Sequence, residues 1–229
     1  MQKRVFISGA SKGIGLAIAE RFLAEGCHVA INARDAAGLA AVQARHPEIR
    51  TFPADLSRKA DVEALAAWIN HDFGPPDVLV NNVGHFTPGA IHSESDEAFE
   101  QMMFTNVFST YYLTKRVLPA MMQRQSGSIF NICSIASLMA YANGGAYSIS
   151  KHALLGFSRV LREEMKPFGI RVTSVLPGAT LTDSWAGVDL PAARLMPAED
   201  IAAAIWNAWC MSPRTVVEDI VLRPQLGDI

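Results

Sequence analysis

Short apolar runs alternate with segments of helical periodicity along the chain. Glycine, proline or polar residues bound each run, as is typical of strands buried on both faces of a parallel sheet. The alternation continues without a linker, a shift in composition or an internal repeat. It predicts a single α/β domain over residues 1–229 with one doubly wound parallel sheet. The predicted strands are Arg4–Ser8, His28–Asn32, Arg50–Ala54, Val78–Val80, Gly127–Cys133 and Ile170–Leu176.

Polar residues mark where the intervening helices begin and bend. Asp35 is predicted to cap a helix that starts near Ala36, and Ser57 to cap the next one. A long helical segment runs from about Asp96 to Met122. Asn106 lies in its middle, where asparagine is a mediocre helix former. It therefore indicates a bend, a bound water or a functional contact.

Composition and charge narrow the class of protein. The 229 residues are 50% hydrophobic, enough to build a full core. A net charge of -2 disfavours nucleic acid as a partner. No apolar run approaches the ~20 residues that span a membrane, and the residues from Met1 to Arg4 leave no room for a signal peptide. The 3 cysteines form no CxxC pattern and the 6 histidines lack ligand spacing, so we expect a cytoplasmic protein without a metal.

A glycine-rich turn follows the first strand and precedes a helix. Its sequence is Gly9-Ala10-Ser11-Lys12-Gly13-Ile14-Gly15, a spacing that differs from the usual G-x-G-x-x-G fingerprint. Such a turn lets backbone N–H groups and the start of the helix approach a pyrophosphate. We therefore expect a dinucleotide here; the alternative is that the glycines serve only a tight turn.

The end of the second strand indicates which dinucleotide binds. A carboxylate there would accept a hydrogen bond from the ribose of NAD, whereas an arginine accommodates the 2′-phosphate of NADP. The chain has Ala33 and then Arg34 at this point, and Lys12 can reach the same place. The pattern predicts NADP(H) as the preferred cofactor and NAD(H) as the less favoured one, unless both cations are merely solvated.

Tyr147 and Lys151 form a candidate proton-transfer pair. They are four residues apart, so a helix places them on one face. A neighbouring ammonium favours the phenolate and lowers the pKa of a tyrosine from about 10. The same spacing also occurs by chance on solvated helices, so other motifs must decide the assignment.

Taken together, the motifs resemble those of the classical short-chain dehydrogenase/reductase family, from Val5 to the end of the chain. The glycine motif has Ser8 where threonine is usual, and the Asn-Asn-Ala-Gly motif appears as Asn81-Asn82-Val83-Gly84. The family's catalytic tetrad matches Asn106, Ser134, Tyr147 and Lys151, and its Pro-Gly-x-x-x-Thr motif matches Pro177, Gly178 and Thr182.

The resemblance implies a Rossmann fold whose parallel sheet has about seven strands, with one strand in the tail after Val216. It also implies a carbonyl reductase in which NADPH delivers a hydride and Tyr147 acts as the general acid or base. Ser134 would donate a hydrogen bond to the carbonyl oxygen. Lys151 would lower the pKa of Tyr147 and bind the nicotinamide ribose, and Asn106 would hold a water that relays protons. The implied cofactor site comprises Gly9, Ser11, Lys12, Gly13, Ile14, Gly15, Arg34, Asp55, Leu56, Asn82, Gly84, Tyr147, Lys151, Pro177, Gly178, Thr180 and Thr182.

The substrate is less well indicated. The resemblance implies a substrate lid over about residues 179–197, in which Trp185 is the only aromatic residue. Trp185 either stacks on a planar substrate or packs onto the domain. The C-terminal part resembles bacterial sepiapterin-reductase-like members, but similar tails occur in reductases of undefined substrate and in 3-oxoacyl-carrier-protein reductases.

Three classes of function therefore stay open. The first is a reductase of small ketones or diketones, including a sepiapterin-reductase type. The second is a reductase whose substrate arrives on an acidic carrier protein, which Lys115, Arg116 and Arg124 would dock unless they are a solvated helix face. The third is a non-catalytic cofactor sensor, which should have lost Tyr147 or Lys151; both are present.

The helix from Tyr147 to Lys166 has more apolar surface than one sheet face covers. The resemblance implies that this helix and the preceding one form a symmetric dimer interface. The apolar tail from Val216 to Ile229 would add a second contact. We therefore expect a homodimer or homotetramer. The apolar residues in question are Ala153, Leu154, Phe157, Val160 and Leu161.

Overall fold

Seven parallel strands form one sheet in the order β3-β2-β1-β4-β5-β6-β7. The structure is a computed structural model that describes residues 2–185 and 187–228, with Ser184 described by its backbone alone. The predicted fold class and strand number are confirmed. The strands are β1 Arg4–Ile7, β2 His28–Ala33, β3 Arg50–Pro53, β4 Val78–Asn81, β5 Gly127–Ile132, β6 Ile170–Pro177 and β7 Asp219–Leu222.

Helices cover both faces of the sheet. One core lies between the sheet and α1 and α7, and includes Ile18, Phe22 and Ile205. The other lies under α3, α5 and α6 and includes Leu65 and Val117. The helices are α1 Gly13–Ala24, α2 Ala36–Arg45, α3 Lys59–Trp68, α4 Asp96–Met103, α5 Ser109–Arg124, α6 Gly145–Met165 and α7 Ala198–Trp209. Across the described ranges no helix combines the length and apolar character needed to cross a membrane.

Two of the predicted helix caps have different outcomes. Asp35 caps α2 as predicted, because its carboxylate accepts hydrogen bonds from the N–H groups of Ala37 and Gly38. The prediction for Ser57 is wrong. The cap position of α3 belongs to Arg58, and the Ser57 hydroxyl instead donates to Asp55 Oδ1 over 2.8 Å.

The long helix predicted from Asp96 to Met122 is interrupted at Asn106. A π-helical turn, Phe104–Phe108, separates α4 from α5. The predicted bend thus takes the form of an inserted residue in the helical ladder, a feature frequent at functional sites. Pro53 ends the edge strand β3, a position in a sheet where proline is tolerated.

Candidate active site

A cleft of about 750 Å³ opens at the carboxyl edge of the sheet, where the strand order changes direction between β1 and β4. Open α/β sheets bind ligands at this position. Among the described residues, Asn106 is the predicted site residue that does not line the cleft. The predicted residues that do are Gly9, Ser11, Lys12, Gly13, Ile14, Gly15, Arg34, Asp55, Leu56, Asn82, Gly84, Ser134, Tyr147, Lys151, Pro177, Gly178, Thr180, Thr182 and Trp185.

The glycine turn needs glycine for its backbone conformation and for its packing. Gly9 and Gly13 have φ of +64° and +58°, the left-handed region that residues with a Cβ rarely adopt. A Cβ on Gly15 would lie 2.5 Å from Asn82 Nδ2. The Asn82 amide in turn donates to the carbonyls of Ser8 and Gly9. Asn82 therefore holds the turn in shape while it lines the cleft.

Charged side chains line the cleft beside the end of β2. Ala33 is buried, so the strand end presents the exposed Arg34 and no carboxylate of its own. Lys12 extends from the glycine turn but forms an ion pair with Asp183 in the lid segment. For Asp55, burial opposes ionisation, but two hydrogen bonds from Ser57 outweigh it and hold the pKa below its ordinary value.

Ser134, Tyr147 and Lys151 meet in the cleft beyond the end of β5. The Lys151 ammonium lies 5.7 Å from the centre of the Tyr147 ring and donates a 2.9 Å hydrogen bond to the carbonyl of Ile132. Burial lowers the pKa of Lys151 to about 8. Ser134 begins a short 3₁₀ turn, and its Oγ accepts from the N–H of Ala136, which leaves the hydroxyl hydrogen available for a ligand.

The pKa of Tyr147 is raised, mainly by burial, and the hydroxyl of Ser134 only partly opposes this. The lowering that we expected from Lys151 is therefore not found. Burial dominates because it removes the charged phenolate from water, and the pKa shows no lowering by Lys151. Tyr147 is accordingly a neutral phenol at physiological pH.

Asn106 is fully buried behind the cleft. Its amide nitrogen donates to the carbonyl of His85 and to Ser150 Oγ, and its oxygen accepts from the N–H of His85. Ser150 Oγ also donates to the backbone carbonyl of Tyr147. Asn106 thus ties the chain after β4 to the helix of Tyr147. Both N–H groups of its side-chain amide are used. A relay water, which stays a prediction, would therefore have to donate a hydrogen bond to the side-chain or backbone oxygen of Asn106.

Other side chains that sequence reasoning did not single out form the wall nearest Tyr147. The ring of Phe86 packs edge-on against that of Tyr147, with centres 4.9 Å apart. Met139 and Tyr141 line the same cleft and are each more than 40% exposed. Trp185 lines it from the lid segment, and its stacking on a planar substrate stays a prediction.

Comparisons with known proteins identify the family. A model of the short chain dehydrogenase family matches residues 3–191. The chain belongs to the short-chain dehydrogenase family. It is 37% identical to a sepiapterin reductase of Chlorobaculum tepidum over 100% of this chain and 99% of that protein. It is 33% identical to a 3-oxoacyl-acyl-carrier-protein reductase of Haemophilus influenzae, over 89% and 88% of the two chains.

Solved short-chain dehydrogenase structures match the fold closely. An actinorhodin polyketide ketoreductase variant with NADPH superposes with a TM-score of 0.90 at 27% identity, over 100% of this chain and 98% of that one. A serine dehydrogenase complexed with NADP+ superposes with a TM-score of 0.88 at 28% identity, over 96% and 94%. The chain is thus an oxidoreductase of this family, and its relatives include proteins solved with NADP bound.

The tail adds a feature to this short-chain dehydrogenase that the sequence did not signal. Asp228 lines the cleft, and it pairs with Arg223, which also contacts the sulfur of Met139. The tail packs tightly on Gly178, since a Cβ at that position would lie 3.2 Å from Pro224 Cδ. The last turns of the chain therefore close one side of the cleft. Ile229, the end of the predicted tail contact, lies outside the described residues.

Proposed function

We propose that this short-chain dehydrogenase is an NADPH-dependent reductase of small carbonyl compounds. The observation that supports this best is one continuous cleft with the glycine turn and Arg34 along one part and Ser134, Tyr147 and Lys151 along another. The residues present suit the cofactor. The left-handed glycines leave room for a pyrophosphate, and β2 ends in Ala33 followed by Arg34 rather than in a carboxylate.

The proposed chemistry is reduction with Tyr147 as the general acid. The cofactor supplies a hydride when bound. The raised pKa keeps Tyr147 protonated, so its phenol can give a proton to the carbonyl oxygen. The Ser134 hydroxyl donates a hydrogen bond to the same oxygen and stabilises its developing charge. The Ile132 carbonyl fixes Lys151, whose remaining N–H groups point to a role in holding a ribose.

A sepiapterin-reductase-type activity is the second candidate, because the full-length relative carries that name. The carrier-protein alternative has less support. The Arg116 guanidinium is paired with Glu63, and Arg124 donates to the carbonyls of Pro75 and Pro76. These contacts fix both arginines in the fold, so little of the predicted basic docking patch is left. A non-catalytic sensor is disfavoured by the presence of Tyr147 and Lys151.

The test is NADPH oxidation by the purified protein with diketones, pterins and acetoacetyl thioesters. We expect turnover with at least one carbonyl. Tyr147→Phe should lower kcat by about 10²- to 10⁴-fold, the usual contribution of a general acid, and leave the Kd for NADPH close to wild type. Lys151→Ala should impair both kcat and Kd. Wild-type turnover by Tyr147→Phe with an accepted carbonyl would refute the assignment.

A further inference from the structure

The catalytic helix α6 is capped by a residue from a distant segment. Gly144 occupies its cap position and has no side chain to offer, although Tyr147 lies in the first turn. The N–H of Ala146 instead donates to both carboxylate oxygens of Glu94, over 2.9 and 3.3 Å. A carboxylate at this end of a helix satisfies a free donor and interacts favourably with the helix dipole.

The segment that carries Glu94 lies flat against the start of α6. The N–H of Gly89 donates to the carbonyl of Asn143 over 3.0 Å, and Gly89 forms an isolated parallel bridge with Gly144. A Cβ on Gly145 would lie 2.5 Å from the Gly89 carbonyl oxygen and 2.6 Å from Glu94 Oε1. The glycine at the first helical position is what admits the carboxylate.

The same segment is fixed to the cleft on either side of Glu94. Its beginning, at His85, is held by the buried Asn106. Phe86 packs against the ring of Tyr147. Directly after Glu94, Ser95 caps α4 by accepting from the N–H of Ala98. The residue pair Glu94 and Ser95 therefore sets the beginnings of α4 and α6 relative to each other.

We propose that Glu94 is a positioning residue for Tyr147. Its carboxylate holds the first turn of α6 in register with the loop that forms the cleft wall, and so fixes where the phenol hydroxyl points. The consequence for catalysis rests on the proposed function, since it requires that Tyr147 delivers a proton. Small displacements of a positioned group are costly to kcat, because the reacting atoms must stay in near-attack geometry.

Steady-state kinetics of three variants tests this. Glu94→Ala should lower kcat by about 10- to 100-fold at an unchanged Kd for NADPH. Glu94→Gln keeps an oxygen that accepts from Ala146 and should stay within about fivefold of wild type, since it loses only the charge. Glu100→Ala, which removes an exposed carboxylate from α4, should be unaffected. If Glu94→Ala is insoluble, Glu94→Asp, whose shorter side chain withdraws the carboxylate, replaces it with the same expected loss.

Amide hydrogen exchange tests the cap without reference to turnover. Residues 145–151 should exchange faster in Glu94→Ala than in wild type, Glu94→Gln or Glu100→Ala. Unchanged exchange would overturn the proposal even in an enzyme that reduces carbonyls. Faster exchange without any carbonyl turnover would uphold the cap and refute the proposed function instead. Wild-type kcat in Glu94→Ala, or an equal loss in Glu94→Gln, would also overturn the positioning role.

Discussion

At the scale of single residues, the choice of cofactor depends on three consecutive positions after β2. Ala33 is buried and neutral, Arg34 is exposed along the cleft, and the Asp35 carboxylate is already bound to the N–H groups of Ala37 and Gly38. The nearest acid in the sequence is therefore occupied as a helix cap and is poorly placed to accept from a ribose hydroxyl.

Replacing Ala33 by Asp and Arg34 by Ser should reverse the preference from NADPH to NADH. The change replaces a partner for the 2′-phosphate by a partner for the ribose hydroxyl. Hydrogen bonds to charged groups contribute about 1.5–3 kcal/mol, so the ratio of the Kd values for NADPH and NADH should change by about ten- to a hundredfold or more. Equilibrium fluorescence titration with both cofactors measures it. Arg45→Ser, at the far end of α2, is the control. Equal Kd values of the wild type for NADPH and NADH would contradict the role of Arg34.

Sequence reasoning succeeded at residues whose role depends on local chain chemistry. The glycines of the turn and the Asp35 cap are set by backbone conformation within a few residues, and all are where the pattern predicted. It failed where distant segments decide. The direction of the Tyr147 pKa depends on burial by the whole fold, and the wall formed by Phe86 and Met139 combines segments from two loops.

At the scale of elements, an exposed ion pair joins the lid segment to the glycine turn. Lys12 was predicted to hold the 2′-phosphate, but its ammonium is bound to Asp183. Both side chains are about 70% exposed, so water screens the pair and it contributes at most about 1 kcal/mol.

The π-helical turn at Phe104–Phe108 was only partly predictable from the sequence. The helical pattern over Asp96 to Met122 contains no signal for an inserted residue except Asn106 itself.

Asp183→Asn should strengthen NADPH binding by up to about fivefold, because it frees Lys12 for the phosphate at the cost of one exposed pair. NADH, which lacks the 2′-phosphate, should gain much less. Titration of both cofactors at low and high salt measures the difference, which should shrink as ions screen the charges. Asp189→Asn, an exposed acid elsewhere in the lid segment, provides the matched control. Weaker NADPH binding in Asp183→Asn would show that the aspartate assists the cofactor rather than competing with it.

At the scale of the whole molecule, the apolar surface predicted on α6 is smaller than expected. Leu154 and Leu161 are buried in the cores, so they do not contribute to it. Phe157 packs partly against both cores, and Val160 is 59% exposed. The amphipathic pattern could not separate these sides, because the helix covers the sheet along a wider stripe than the sequence suggested.

A homo-oligomer remains our prediction, now through a patch on α5 and α6. The exposed apolar side chains there are Phe108 at the end of the π-helical turn before α5, Tyr111 of α5, and Ile149 and Val160 of α6. Light scattering at micromolar concentration should give at least twice the 24.8 kDa of one chain. Val160→Glu should reduce the mass, whereas Ile91→Glu, an equally drastic change on an exposed loop residue, should not. A wild-type mass of one chain would contradict the prediction.

The buried Lys151 should make stability rise with pH. Burial lowers its pKa from 10.5 to about 8, so between these values the unfolded chain binds more protons than the folded one. Between pH 7 and pH 9, the free energy of unfolding should therefore rise by about 1 kcal/mol more in wild type than in Lys151→Met. Cys133, whose pKa burial raises to about 12, acts in the opposite direction in both proteins. Loss of Lys151 would raise that pKa further, so the folded thiol stays protonated across this range in both proteins. Urea unfolding across this range measures the difference; parallel curves would mean that Lys151 is not desolvated.

The position of β1 also affects the chain while it is being synthesised. β1 is the first strand synthesised, but it pairs with β4 as well as with β2. β4 in turn also pairs with β5, which is synthesised later. A nascent chain that has passed β4 therefore presents Val78–Asn81, a strand buried in the finished sheet, with one edge open to other chains. Chains stalled on the ribosome just before β5 should aggregate or recruit chaperones more than chains stalled after β6. Equal solubility of the two stalled products would show that the early half shields this edge by itself.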